Sequence, residues 1–193
     1  VELQSVAKVL AEMGRVDEAS RIAGDMQNPD YKSHALIDIA GAHARAKGSV
    51  PTDRLFEAAW QASLETSRTF EMRGLVQERI VAAMAAAGRL DRAEALAARI
   101  SDAPWRGGAL AKIGEAYLVA GQATQARRIL DLAKNVAHEV ESGPSSVLSD
   151  VARAMARGGA FEEAEQLATS IPDASFRTVT LQLIANQLAV KNQ

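Results

Sequence analysis

The sequence predicts an all-α protein, a solenoid of helical hairpins, and three observations carry that prediction. Alanine fills 39 of 193 positions, and alanine is both the strongest helix former and the thinnest packing surface. Glycine recurs behind apolar, helix-like segments at Gly14, Gly48, Gly88, Gly121 and Gly159, and Asn192 stands where a sixth would fall. The intervals are 34, 40, 33, 38 and 33 residues, so short and long units alternate and the chain reads as a duplicated pair of hairpins. Glycine just past a helix end supplies the left-handed conformation that stops a helix at little strain.

Each element follows from that frame. The first hairpin runs from Val6 through Met13, turns at Gly14-Arg15 and resumes at Val16. The third repeats it, with Val81 to Ala87, Gly88-Arg89, and a second helix from Leu90. The fourth shows the register best. Leu110, Ile113, Gly114 and Tyr117 make one i, i+3, i+4, i+7 stripe, and Ala126, Leu130 and Ala133 make the facing one after Gly121. Small or slim residues stand seven positions before the turn markers, at Ala7, Gly41, Val81, Gly114, Ala152 and Ala185. Others stand five after, at Ala19, Ala93, Ala126 and Ala164. At a helix crossing they let two backbones approach closely, where a larger residue would cost about 1–3 kcal/mol. The second hairpin needs one inserted residue around Gly48-Ser49-Val50-Pro51-Thr52 before Phe56 and Ala59 fall into register. The long units stretch their second helix, as in Leu130 to Glu141, and Gly143-Pro144-Ser145-Ser146 closes one of them.

The run Leu110-x-x-Ile113-Gly114-x-x-Tyr117 with Gly121, Ala126, Leu130 and Ala133 resembles a tetratricopeptide repeat, a 34-residue helix-turn-helix module. The resemblance spans nearly the whole chain, with repeats at about 1–31, 32–70, 71–105, 106–145 and 146–176 and a terminal helix at 177–192. The family's tryptophan-like opening position holds Leu3, Ile37, Gln77, Leu110, Leu148 and Leu181 here. The resemblance implies one right-handed superhelical domain over 1–193, with an inner face lined by first helices that binds a peptide or partner protein. Inner positions on that register are Lys8, Asp38, Arg45, Glu78, Arg79, Lys112, Glu115, Asp150, Arg153, Arg157 and Asn186, with Gln4, Ala42, Ala82 and Gln182 between them. Their charges alternate in sign, which suits a solvated groove wall as well as a binding one. Family members that grip a chaperone's terminal carboxylate use a lysine, arginine and asparagine cluster. Gln4, Lys8, Ile39, Leu75 and Arg79 do not reproduce it. Two other functions stay open at this level: RNA recognition, by likeness to pentatricopeptide arrays, and the regulatory helical part of a larger enzyme.

Composition narrows the field. A 24% charged share, a net charge of −2 and no cysteine exclude a disordered chain, disulfide scaffolds, thiolate metal sites and cysteine nucleophiles. The near-neutral, mixed charge argues against nucleic acid as the main partner. The longest apolar run, Ile80 to Ala87, is far short of the ~20 residues of a membrane span. No compartment is fixed by any of this. Catalytic signatures are missing, and no enzyme activity, metal or cofactor is expected. His34, His43 and His138 fall at unrelated register positions and read as surface or hairpin-edge residues. Asp17-Glu18 and Glu162-Glu163 read as charges at helix N-termini. Gly107-Gly108, at a helix start, reads as relief of crowding, with an anion site as the other possibility.

Tyr31-Lys32, Trp105-Arg106 and Phe176-Arg177 each place an aromatic residue 17 after a turn glycine with a base behind it. They read as hydrophobic staples between hairpins, or as a stacking ladder for a ligand. In the last helix Val179, Leu183 and Val190 lie off the Leu181, Ile184 and Leu188 stripe, and Val1 opens without a cap. The chain is thus expected to be an excised piece of a larger protein or to self-associate through a terminal helix.

Overall fold

The computed structural model describes residues 2–45, 52–65 and 70–191. Among them are eleven α-helices and no strand. In order they are α1 Glu2–Glu12, α2 Val16–Gly24, α3 Pro29–Arg45, α4 Thr52–Leu64, α5 Phe70–Ala86, α6 Leu90–Ala97, α7 Ala103–Val119, α8 Ala123–Ala137, α9 Ser145–Arg157, α10 Phe161–Thr169 and α11 Ala174–Lys191. The chain divides into two compact units, Val1–Arg89 and Leu90–Gln193.

The glycine rule holds in atomic detail. Gly14, Gly88, Gly121 and Gly159 take φ of 79°, 74°, 72° and 90°. Each donates its N–H to the carbonyl three residues back, at Ala11, Ala85, Leu118 and Ala156. The next residue, Arg15, Arg89, Gln122 or Ala160, donates to the carbonyl five back. That pair of bonds is the Schellman closure of a helix C-terminus. Where a second helix follows at Val16, Ala123 and Phe161, the carbonyl of Arg15, Gln122 or Ala160 accepts its first helical bond, from Ala19, Ala126 or Ala164. One residue thereby ends one helix and starts the next. Gly48, Pro51 and Asn192 lie outside the described residues.

The same pairing recurs in both units. In the first, α1 packs on α2 and α3, α2 on α3, α3 on α4 and α5, and α4 on α5. In the second, α7 packs on α8 and α9, α8 on α9, α9 on α10 and α11, and α10 on α11, with α6 against α7. α1, α3, α7 and α9 thus each touch their own second helix and the next hairpin's first helix, as stacked tetratricopeptide-like hairpins do. The small residues sit at the crossings: Ala7, Ala19, Ala93, Ala126, Ala152 and Ala164 are fully buried. A Cβ added to Gly114 would overlap the Leu130 side chain, so α7 and α8 approach as closely as the sequence register requires. Gly107 serves α7 against α9 in the same way, since a Cβ there would lie 2.5 Å from Val147 Cγ1. Phe56, Trp60 and Ile39 fill the first unit's core, and Ile113, Ile129, Val147 and Ile171 the second's.

Several expectations need correction. α3, α7 and α11 begin at Pro29, Ala103 and Ala174, three residues before the 32, 106 and 177 read from the sequence. The turn-rich residues ahead of each aromatic are helix caps and first turns. Asn28 Oδ1 accepts the N–H groups of Asp30 and Tyr31, and Asp173 Oδ1 those of Ser175 and Phe176. α8 stops at Ala137 and not at Glu141, because His138, Glu139 and Val140 switch to bonds three residues back and tighten the turn. His43 is buried within α3, where an edge position was expected. Gly41 meets nothing closer than Arg45 Nη1 at 3.5 Å. Ala185 is exposed.

Candidate functional site

The first helices of the second unit carry a register grid. Counting back from the turn markers, Lys112 on α7, Asp150 on α9 and Leu183 on α11 share one row. Glu115, Arg153 and Asn186 share the next, and Val119, Arg157 and Val190 a third. Neighbouring helices of this set pack directly. Six of the eleven sequence-predicted inner residues therefore fall on one face of α7, α9 and α11.

Five of those six are charged and form two neighbouring sets of ion pairs. Arg157 Nε lies 2.8 Å from Glu115 Oε1, Lys112 Nζ lies 3.9 Å from Glu115 Oε2, and Arg153 Nη1 lies 3.4 Å from Asp150 Oδ1. Glu115 Oε2 and Arg157 Nε are buried atoms without a hydrogen bond, so the Arg157–Glu115 pair is close but misaligned. Burial pushes the Asp150 carboxyl above its ordinary range, and Arg153, Lys112 and Arg157 pull it back down. Three cations thus share two carboxylates on a partly desolvated face, where charge interactions are stronger than in open solvent. Asn186 sits apart, accepting a hydrogen bond of 2.9 Å from Gln182 along α11.

The other five candidates belong to the first unit. Asp38 on α3 and Arg79 on α5 both act on His34, whose pKa is lowered first by burial and then by Arg79, while Asp30 and Asp38 oppose. Lys8 on α1 and Arg45 at the end of α3 are exposed, and Glu78 is half-buried. Arg45 lines a groove of about 290 Å³ with Gly41, Ala44, Ala83 and Ala86. The sequence placed all eleven on first helices, and in the second unit an ion pair, Arg157 with Glu115, joins two of them across α9 and α7.

The aromatic-base pairs have a definite role that the sequence reading missed. Lys32 Nζ donates to the Gly24 carbonyl at 3.0 Å, Arg106 Nη1 to Ile100 at 2.9 Å and Arg177 Nη1 to Ile171 at 2.8 Å. Each base closes the end of the preceding helix, satisfying carbonyls that have no helical partner. The aromatic rings are not buried staples: Tyr31 is 40% and Phe176 44% exposed, and Trp105 is half-buried. The overlooked signal is the Asx residue three before each ring, at Asn28, Asp102 and Asp173. Asp102 takes the extended cap conformation without a side-chain cap bond.

A second polar cluster ties α6, α7 and α8. Tyr117 Oη donates to Glu94 Oε1 at 2.6 Å, and Arg128 Nη2 donates to both Glu94 oxygens at 2.8 and 2.6 Å. Burial, the hydrogen bond and the Glu94 charge push the Tyr117 phenol up to about 12. No group of three or more His, Cys, Asp or Glu among the described residues is placed to hold a metal ion. No helix among them is long and apolar enough to cross a membrane.

Helix pairing, glycine turns and crossing alanines together define an all-α protein of tetratricopeptide-like helical hairpins. The chain is similar to two crystal structures from Podosopora anserina, one of them a single-residue variant, of kinesin-light-chain nearly identical TPR-like repeats. Identity is 17% in both, the match covers 100% of this chain and 96% of theirs, and the TM-scores are 0.44 and 0.45. No family model and no curated protein matches the chain. The fold assignment rests on the chain's own helix pairing and glycine turns.

Proposed function

We propose that the chain is a non-catalytic binding module that takes a peptide or partner protein on the α7, α9 and α11 face of its second unit. The observation that carries this reading is the five-charge cluster Lys112, Glu115, Asp150, Arg153 and Arg157. A core would not retain charges at this cost, and a purely solvated surface would not hold Glu115 Oε2 and Arg157 Nε buried without hydrogen bonds. A partner that donates to the carboxylate and accepts from the guanidinium completes both. Binding on this face needs no reactive centre.

The test is affinity capture with three baits: the wild-type chain, Arg153→Glu/Arg157→Glu on the α7, α9 and α11 face, and Arg127→Glu at an exposed position of α8. Proteins recovered by the wild type and the α8 control, and lost from the inner-face variant, support the reading, provided circular dichroism shows equal helicity. Equal recovery by all three baits rejects it. A single-stranded RNA shift abolished by the inner-face variant would replace it with RNA recognition.

A further inference from the structure

The second helices of the fourth and fifth hairpins leave a groove between them. α8 and α10 each pack on α9 but, among the described residues, not on each other. The space they bound holds about 530 Å³. Its floor is apolar: Leu118 from the end of α7, Met155 from α9 and Leu167 from α10 are half-buried there, beside the buried Leu130 of α8. Gly158 shapes that floor, because a Cβ at this position would overlap the Leu118 side chain. Without one, the end of α7 closes down on the end of α9.

The two banks carry opposite charges. On α8, Ala123, Arg127, Leu130 and Lys134 recur at i, i+4, i+7 and i+11 and so share one face. On α10, Glu163, Gln166 and Leu167 do the same at i, i+3 and i+4. Lys134 is already held by Asp131 at 2.6 Å. Arg127 and Glu163 are exposed, and neither side chain has a hydrogen bond or ion pair among the described residues. A guanidinium and a carboxylate that line one groove without meeting leave room between them for a segment that pairs with both.

The walls decide the form of that segment. Both are α-helices whose backbone groups are bonded internally, so an extended chain laid between them would find no N–H or C=O to pair with. A helix brings its own backbone bonds and needs only an apolar stripe to bury. The lining of α8 from Ala123 to Lys134 runs about 16 Å, the length of roughly three helical turns. Met155 gives the floor a side chain that adapts its shape to the stripe it meets. We infer that the groove between α8 and α10 docks an amphipathic helix of a partner protein. Its apolar stripe lies on Leu118, Met155 and Leu167, with an acidic residue on the edge toward Arg127 and a basic one on the edge toward Glu163.

Fluorescence anisotropy with synthetic peptides, bridged between side chains to hold the helix, tests this. All carry the same leucine stripe at i, i+4 and i+7. One has glutamate along one edge and lysine along the other, one has lysine on both, and one has glutamate on both. The wild-type chain should bind the mixed peptide best. Arg127→Glu makes both banks acidic and should move the preference to the lysine peptide, whereas Glu163→Lys makes both basic and should move it to the glutamate peptide. Each should weaken the mixed peptide by about three- to tenfold at low salt. Both positions are exposed, so circular dichroism should show wild-type helicity, and either variant decides the matter if the other loses it. Arg21→Glu on α2 makes the same change in net charge as Arg127→Glu and should rank the peptides as the wild type does. A lysine preference in Arg21→Glu, one ranking shared by all the proteins, or no binding of any peptide to the wild type overturns the inference. So does light scattering that finds the wild type above 20.5 kDa and Arg127→Glu at that mass, which would put a second copy in the groove.

Discussion

At the scale of single residues, the same amino acid does opposite work at different places, and backbone geometry decides which. Gly121 sits at φ 72° with nothing within 4 Å of the place a Cβ would take, so its requirement is conformational and not spatial. Gly24 also has open space around it, but its φ lies outside the left-handed region, at the last position of α2. Gly121→Ala should therefore destabilise by about 1–2 kcal/mol, the cost of a left-handed L-residue. Gly24→Ala should stabilise by about 0.5–1 kcal/mol through lost unfolded-state freedom and better helix propensity. Urea denaturation of the two variants beside the wild type checks both signs at once. Equal effects from the two would show that glycine placement here is incidental to the turn.

At the scale of elements, helices are joined by devices of differing visibility in the sequence. The turn glycines and crossing alanines repeat at fixed intervals, so periodicity alone exposed them. The caps at Asn28 and Asp173 and the bases at Lys32, Arg106 and Arg177 repeat too, but only at every second junction. The caps work by accepting backbone N–H groups and the bases by donating to backbone carbonyls across a turn, which spacing does not encode. The Glu94, Tyr117 and Arg128 cluster was illegible for a different reason: Tyr117 and Arg128 lie 23 and 34 residues beyond Glu94 and meet it only after α6, α7 and α8 have packed. That cluster gives the elements a pH response. The folded state keeps the Tyr117 proton up to about pH 12, whereas an unperturbed phenol loses it near 10. The folded state thus binds more protons across that window, and stability falls as pH rises from about 10 to about 12. Tyr117→Phe should flatten this alkaline loss while costing about 1.5–3 kcal/mol at neutral pH for the hydrogen bond to a charged group. Stability measured against pH for both proteins, between neutral and pH 12, checks the sign. An equally steep alkaline loss in the variant would place its origin elsewhere.

At the scale of the whole molecule, stability in stacked hairpins is close to a sum of local and nearest-neighbour contributions. The helix pairings obey that rule, since among the described residues of each unit a helix packs only on its neighbours one or two places along the chain. The sequence foretold the pairing but not where the charges would gather. Row positions and the i,i+3 pairs Lys112–Glu115 and Asp150–Arg153 can be counted, whereas the pairing of Glu115 with Arg157 depends on how α7 and α9 lie against each other. The same additivity makes a lesion local. Ala126 is fully buried on α8, which packs on α7 and α9, and Gly114 faces Leu130 one turn further along. Ala126→Leu should overpack that crossing at a cost of about 1–3 kcal/mol. In native-state hydrogen exchange the loss of protection should appear in α7, α8 and α9 and leave α1, α2 and α3 at wild-type rates. A uniform loss from α1 through α11 would mean that the chain opens as one cooperative block, and the nearest-neighbour picture would have to be given up.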